Sequence, residues 1–282
     1  MIAILWALAA AVGYGSSDFA AGLAARRASV IRVALMTEAV CVVVVGPLLP
    51  LTGAGQPDLG AVAWGMASGL AGVSGALVLY LGFRHAAFSV AGPLSAVAAA
   101  GFSVLAGLLI GERPSAIALT GIALALPAIV GVSASAGGAR GRARGGVGYG
   151  LGAGVCFALL FVGLKQAGSG SGLWPVFCGQ VTAFAAVGCL AAFTGDLRLP
   201  EARGGWLAAV AGITGGPGTI FYFLATHHGL LAVTAVLSSL YPAVTIMLAR
   251  LLVGERLTAV RLAGLSLAAA SVDLIAAGGH GG

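Results

Sequence analysis

Three carboxylates stand inside long apolar stretches of this sequence, which has only 8 acidic residues in 282. Asp18 occurs in GYGSSDFAAG, Glu38 in VALMTEAVC and Asp273 in SVDLIAAG. A carboxylate at the centre of a membrane costs about 2.5–3.5 kcal/mol, so each of the three needs a chemical reason. Such a group can take up a proton, bind a cation or pair with a basic side chain.

Each carboxylate has a functional and a structural interpretation. Asp18 is either a proton-coupling or cation-binding group that faces a central cavity, or an interfacial acid that pairs with Arg26 or caps a loop. For Glu38 we favour a position outside the main cavity and a pairing with Arg32 or with a neighbouring helix. The same structural interpretation is favoured for Asp273.

Lys165 closes an apolar stretch just before the loop GSGSG. Its ammonium group either snorkels to the lipid headgroups or anchors a substrate carboxylate. Other apolar stretches contain hydroxyl groups that could bind a small molecule: Tyr80, Ser95, Tyr222, Ser238 and Tyr241. A tyrosine can instead belong to an interfacial belt, but for Tyr241, next to Pro242, we favour the transport pathway.

The sequence matches known catalytic motifs only weakly. Ser74 in GVSG matches the Gly-x-Ser-Gly of intramembrane serine proteases, but the chain is rich in glycine and the residue equivalent to Ser74 in an internal repeat is Pro217. No Walker-type loop or metal-ligand cluster is found in the sequence. The four cysteines lie in apolar stretches and receive no chemical role. We expect a protein that is not an enzyme, with no cofactor and no metal.

The composition indicates that lipid is the natural solvent of the chain. Hydrophobic residues make up 60% and charged residues 8%, which is too little charge to cover a soluble surface of this size. Ten apolar runs are each long enough to cross the membrane as a helix: roughly 2–22, 30–51, 59–82, 88–110, 115–136, 147–167, 172–194, 204–225, 230–253 and 258–278. The net charge of +6 is spread over loops, so no nucleic-acid partner is expected.

The chain contains an internal repeat. Residues 72–132 align with 215–275 without a gap, and about a third of the positions are identical. The most visible match is LLIGERPSAIALTG at 108–121 against LLVGERLTAVRLAG at 251–264. Each half therefore holds five spans. We interpret the two Gly-Glu-Arg turns, which contain Glu112 and Glu255, as helix boundaries in the headgroup layer.

An odd number of spans in each half fixes the relative orientation of the halves. We divide the chain into a first repeat at 1–136, a basic Gly/Arg linker at 137–146 and a second repeat at 147–282. The linker GGARGRARGG is too polar to cross the bilayer, so the second half begins on the side where the first ends. The predicted fold is an all-α integral membrane protein of ten transmembrane helices formed by two inverted five-helix repeats, an architecture typical of alternating-access transporters.

The basic residues orient this bundle in the membrane. Of the 14 Lys and Arg residues, all but Arg113 and Lys165 lie at odd-numbered loops. The positive-inside rule then predicts that the odd loops are cytoplasmic and that both termini face out, in a plasma membrane or bacterial inner membrane.

Two copies of a five-span unit, each with Gly-Glu-Arg before its last span, resemble the drug/metabolite transporter superfamily, specifically its EamA-type ten-helix branch. The resemblance is carried mainly by SVAGPLSAVAAAGFSVLAGLLIGERPSAIALTGIALALPAIVG at 89–131 and AVTAVLSSLYPAVTIMLARLLVGERLTAVRLAGLSLAAASV at 232–272. It implies a gradient-driven or exchange-type carrier with its substrate between spans 1, 3, 4, 6, 8 and 9. It also implies peripheral spans 5 and 10 and cytoplasmic termini, the last of which conflicts with the charge-based orientation that we keep.

We therefore expect a secondary transporter that exports small metabolites, such as amino-acid-like solutes, by alternating access. Multidrug or cation efflux and flipping of a lipid carrier stay open as alternatives. The expected partners are the lipid bilayer, a small-molecule substrate and a proton as coupling ion, with a monomer and a homodimer both open. Hinges or close packing are expected where glycine or proline interrupts the spans: Gly72, Gly75, Pro93, Pro217, Gly218 and Pro242.

Overall fold

The structure, a computed structural model, describes residues 1–52, 57–85, 88–133, 140–198, 200–253 and 258–278. Eleven α-helices and one 3-10 helix, Gly46–Thr52, lie in these ranges, and no strand does. The helices are α1 (Ile2–Ala25), α2 (Val30–Val45), α3 (Leu59–His85), α4 (Phe88–Leu109), α5 (Ala116–Ser133), α6 (Arg140–Gln166), α7 (Trp174–Phe193), α8 (Ala202–His228), α9 (Leu231–Ser238), α10 (Tyr241–Val253) and α11 (Ala259–Gly278).

These helices confirm the predicted ten-span bundle. In the described part of the chain, nine segments are long and apolar enough to cross a membrane, and the shorter apolar helix Ala116–Gly131 lies at the place of the fifth predicted span. Helices suit these sequences because a spanning helix satisfies its backbone polar groups internally, where lipid offers them no partner. Large side chains such as Leu59, Phe193 and Trp206 are mostly exposed on the outside of the bundle, where lipid would cover them.

The ninth predicted span is discontinuous. Helix α9 ends at Ser238 and α10 begins at Tyr241, with Ser239 and Leu240 in a turn between them. Pro242 lies in the first turn of α10, where its missing N–H costs no hydrogen bond. The equivalent span of the first repeat, α4, continues through Pro93. The break therefore occurs in only one of the two repeats.

Side-chain caps fix where the last span of each repeat begins. Ser115 Oγ accepts a hydrogen bond from the N–H of Ala118 at 3.2 Å before α5. Thr258 Oγ1 accepts one from the N–H of Arg261 at 3.3 Å before α11. Ser115 and Thr258 are equivalent in the repeat, so the two halves start their last helix by the same device.

The two repeats pack through symmetric pairs of helices. Helix α1 packs on α8 and α6 packs on α3; α4 packs on α6, and α9 with α10 packs on α1. Likewise α2 packs on α8 as α7 packs on α3, while α2 meets α7 and α5 meets α11. Each of these contacts joins one repeat to the other, as the inverted architecture requires. The core of the protein is therefore the interface between its halves.

Glycines allow the closest of these approaches. Gly69 of α3 faces Gly179 of α7, and a methyl group on Gly69 would overlap the Gly179 carbonyl. On the other side of the bundle, a methyl group on Gly13 of α1 would lie 2.7 Å from the Cα of Gly218 in α8. Small residues therefore set the helix spacing in both halves.

Helix α6 begins at Arg140, so part of the segment predicted as a linker has a helical backbone. Residues 134–139, which include the end of the first repeat, lie outside the described residues. The second Gly-Glu-Arg turn, with Glu255 and Arg256, also lies outside them.

Candidate substrate cavity

A cavity of about 120 Å³ lies between the two repeats. Its wall is formed by α1, α2 and α3 of the first repeat and by α6, α7, α8 and the start of α10 of the second. The family resemblance implied that span 4 lines the substrate site and that spans 2 and 7 do not. In the structure spans 2 and 7 line the cavity, and α4, the fourth span, does not. Spans 2 and 7 reach the cavity because α2 packs against α8 and α7 packs against α3.

Asp18 lies on this wall, which was one of its two predicted positions. Asp18 lines the cavity together with Tyr14 and Ser17, because residues three and four apart share one face of a helix. The small neighbour Gly215 of α8 holds this face close, since a methyl group there would lie 2.9 Å from Ser17 Oγ. Within the described part of the chain, Asp18 forms no ion pair with Arg26 or with another basic residue.

Glu38 also lies on the wall, and our expectation that it is outside the cavity is wrong. Thr37 Oγ1 donates to the carbonyl of Ala208 at 3.2 Å, and Cys41 Sγ donates to that of Gly212 at 3.5 Å. These two contacts fix the rotation of α2 against α8 and turn Glu38, between them, toward the cavity. The expected partner Arg32 is held instead by Asp196, whose Oδ1 accepts from its Nε at 2.6 Å.

Tyr80 and Gln180 bring further polar groups to the cavity from α3 and α7. Their side chains are almost fully enclosed by protein, with 4% of Tyr80 and 8% of Gln180 exposed. Both line the cavity, and neither side chain makes a hydrogen bond within the described residues. Buried polar groups normally have partners, so these two are available to a bound molecule.

Tyr241 connects the cavity to α4. It lines the cavity at the start of α10, and its hydroxyl lies 2.8 Å from Ser95 Oγ. Ser95 is fully buried and also donates to the carbonyl of Gly92 at 2.8 Å. Ser95 therefore holds the Tyr241 hydroxyl by a hydrogen bond and does not itself line the cavity.

Tyr222 and Ser238 lie in the packed core between the repeats. The Tyr222 hydroxyl donates to the carbonyl of Phe161 at 3.3 Å, and the two rings stack with centroids 4.2 Å apart. Ser238 Oγ donates to the carbonyl of Ala7 at 3.3 Å. Both side chains are fully buried, and the cavity wall does not include them.

Lys165 lies away from the cavity, at the end of α6. Its Nζ donates to the carbonyl oxygens of Thr226 at 2.6 Å and Gly229 at 3.0 Å, and it lies 3.9 Å from Glu112 Oε1. The ammonium therefore caps the carbonyl end of α8, where a positive charge is favourable. This position neither snorkels freely nor faces the cavity.

The predicted glycine and proline positions divide between packing and helix interruption. A methyl group on Gly72 would overlap Leu160, and one on Gly75 would lie 2.9 Å from the Phe157 ring, so both allow α6 to approach α3. A methyl group on Gly218 would lie 3.2 Å from Tyr14 of α1. Pro93 and Pro217 lie inside continuous helices, and Pro242 alone adjoins the break described above.

The charge of the wall is one-sided. The described residues that line it include Asp18 and Glu38 and contain no lysine, arginine or histidine. No group of three His, Cys, Asp or Glu that could hold a metal ion occurs within the described ranges. Asp273, the third intramembrane carboxylate, is exposed on α11. The described part of the wall therefore carries acidic groups and no basic group.

Comparisons with known proteins agree with the geometry. A model of the EamA-like transporter family matches residues 1–134 and 144–277. No curated protein matches the sequence significantly. A protein of known crystal structure is similar to this chain with a TM-score of 0.74 and 17% identity, and the similarity covers 96% of this chain and 95% of the other. At that identity the likeness establishes the fold alone.

Proposed function

The chain belongs to the EamA-like transporter family, and from that premise we propose that it is a secondary transporter which exports small organic metabolites by alternating access. Members of the family are membrane transporters and not enzymes, and they act on small molecules from within a lipid bilayer. The observation that carries the proposal is a cavity with polar groups at the interface of two symmetrically packed repeats.

Alternating access follows from the exchange of equivalent contacts. Because α1 meets α8 as α6 meets α3, the two repeats can adopt each other's conformations, and the cavity then opens to the opposite side. The asymmetric break between α9 and α10 supplies backbone that can change direction without breaking a continuous helix. We place the repeats at 1–136 and 147–282, joined by the linker at 137–146, and the two segments matched by the family model support this division.

We assign Asp18, Tyr80 and Tyr241 to the substrate pathway, because all three line the cavity. A pathway role for Ser95, Lys165, Tyr222 and Ser238, which do not line it, stays a prediction. Asp18 is the proposed site of coupling to protons, and the basic odd loops support outward-facing termini in the plasma membrane.

Cysteine accessibility tests alternating access without knowledge of the substrate. Ala76 lines the cavity on α3, and Ala67 on the same helix is exposed on the lipid-facing side. In a background whose four native cysteines are replaced by alanine, each position is changed to cysteine and treated with a membrane-impermeant thiol reagent. The reagent is applied to right-side-out or inside-out vesicles.

We expect Ala76→Cys to react from both sides of the membrane and Ala67→Cys to react from neither. Labelling of Ala76→Cys from one side only, under all solute and pH gradients, would contradict the proposal. The control shows whether the reagent reaches α3 through lipid.

A further inference from the structure

The two carboxylates of the cavity wall are carried by different helices of the first repeat. Asp18 lies on α1 and Glu38 on α2, and both side chains are partly accessible. The side chain of Tyr80, on α3, lines the same cavity. Three helices therefore direct two acidic groups and one hydroxyl at a common region of the cavity.

Two basic residues that could pair with these carboxylates are held elsewhere in the described part of the chain. Arg32, the expected partner of Glu38, forms an ion pair with Asp196 beyond the end of α7. Lys165 is bound to Glu112 and to the end of α8. Two carboxylates with no cation among the described wall residues are expensive to keep charged in a membrane, and a cation that arrives with the ligand would offset this cost.

The rest of the wall suits the organic part of such a ligand. Phe157, Leu160 and Phe161 of α6 supply apolar and aromatic surface, and aromatic faces attract cations. The amide of Gln180 and the hydroxyl of Tyr80, both more than nine-tenths buried and without a hydrogen-bond partner among the described residues, can donate to or accept from polar groups of the ligand. A bound organic cation would satisfy groups that the protein leaves unpaired.

We propose that the substrates of this cavity are organic cations, whose ammonium group binds between Asp18 and Glu38 and whose apolar part packs against α6. The inference rests on the proposed transport function and names its substrate class. An amino-acid zwitterion fits less well, because its carboxylate would meet two like charges and no cation on the described wall. Glu38 thereby becomes a determinant of specificity.

A matched series of probes tests this inference. Phenethylamine, phenethyl alcohol, phenylalanine and hydrocinnamate share an aromatic group and a short chain, but differ in charge as cation, neutral, zwitterion and anion. Binding of each is measured at neutral pH by isothermal calorimetry on the full chain in lipid nanodiscs. The variants are Glu38→Gln, Glu38→Asp and Asp18→Asn. The matched control is Asp273→Asn, which removes an intramembrane carboxylate that is exposed on α11.

We expect phenethylamine to bind more tightly than the other three probes. Glu38→Gln and Asp18→Asn should each raise its Kd by about tenfold or more, the effect of losing one charge-assisted contact. Glu38→Asp should recover part of the affinity, and Asp273→Asn should leave it unchanged. Since neither carboxylate forms an ion pair within the described residues, the variants should elute from size exclusion as the unmodified protein does.

The inference is overturned if phenylalanine or hydrocinnamate binds more tightly than the amine, if none of the probes binds, or if Glu38→Gln leaves amine binding unchanged. Failure of this kind is distinguishable from failure of the transport proposal. Cysteine accessibility from both faces would still support alternating access in a carrier of another substrate class. Conversely, amine binding with labelling from one face only would support the cation site and contradict transport.

Discussion

The carboxylate of Glu112 caps the helix that begins at Leu231, and its Oε1 accepts a hydrogen bond from the Leu231 backbone N–H at 2.6 Å. Its other oxygen accepts from the N–H of Ala232 at 2.9 Å. Glu112 belongs to the first repeat and α9 to the second, so the cap joins the two halves. Lys165 completes the arrangement by binding the last carbonyls of α8.

Loss of this cap should destabilise the bundle. Glu112→Ala leaves two amide groups and the Lys165 ammonium without their carboxylate, and we expect it to lower the free energy of unfolding by about 2–4 kcal/mol. Lys165→Met should cost less, about 1–2 kcal/mol, because a quarter of its side chain is exposed. The measurement is unfolding of the detergent-solubilised protein by titration with denaturing detergent.

The control for this prediction is Glu201→Ala. Glu201 is also a glutamate at a helix N-terminus, but its side chain makes no capping hydrogen bond to α8, and the change should stay within about 0.5 kcal/mol. The double variant at Glu112 and Lys165 should cost less than the two single changes together, since they share one interaction. Strict additivity would show that the two residues act independently.

Gly69 is predicted to be far less tolerant of a methyl group than Gly101. A methyl group on Gly69 would overlap backbone of Gly179, which cannot move without separating α3 from α7. We expect Gly69→Ala to cost about 1–3 kcal/mol. Among the described residues, no atom of another helix lies within 4 Å of a methyl group added to Gly101 of α4, so Gly101→Ala should stabilise by up to about 1 kcal/mol.

Gly72→Ala provides an intermediate case, because its methyl group would meet the flexible end of Leu160. Unfolding titrations of the three alanine variants should therefore rank Gly69 as most sensitive, then Gly72, then Gly101. Equal destabilisation at Gly69 and Gly101 would indicate that helix propensity, and not the α3–α7 contact, controls these positions.

The hydrogen bond between Ser95 and Tyr241 should contribute modestly to stability. Hydrogen bonds between membrane helices average about 0.6 kcal/mol and reach about 1.7 kcal/mol. A double-mutant cycle with Ser95→Ala and Tyr241→Phe should give a coupling energy in this range. A coupling near zero would mean that Tyr241 bonds elsewhere when the protein is in a bilayer. A suitable control in place of Ser95→Ala is Thr120→Ala, because the Thr120 hydroxyl donates to the carbonyl of Ala116 in its own helix.

The carboxylate of Asp196, which follows the end of α7, should make the stability of the protein depend on pH. The hydrogen bond from Ser29, aided by the hydrogen bond and the positive charge of Arg32, holds the pKa of Asp196 below its usual value near 3.8. The pKa of Asp196 is lower in the folded than in the unfolded protein. Its contribution to stability is therefore complete at a pH above the unfolded-state pKa and is lost as the pH falls through the folded-state pKa. The apparent melting temperatures of the protein and of Asp196→Asn should therefore differ at neutral pH and converge below about pH 4.

Asp58→Asn is the control for this pH series. Asp58 also accepts hydrogen bonds at the start of a helix, from the N–H groups of Gly60 and Ala61, but it has no arginine partner among the described residues. A difference between the protein and Asp196→Asn that does not change with pH would contradict the assigned ion pair.

The bundle was predictable because its signals are local or periodic in sequence. Apolar runs longer than the membrane is thick identify spans, and a repeat with an odd number of spans requires inversion. Pro242 indicated the helix break beside Tyr241. Lys165 was identified as a residue needing explanation, but the sequence did not indicate that it caps α8, since its partners Glu112 and Thr226 are distant in the chain.

The sequence by itself determined that this chain is a ten-span membrane protein with two inverted halves, and it marked Asp18 as a candidate for transport. Only the tertiary structure decided that Glu38 also faces the cavity and that Lys165 does not. The physical reason is that spans apolar on every side carry little information about which face turns inward. That rotation is decided by contacts between helices, such as those of Thr37 and Cys41 with α8.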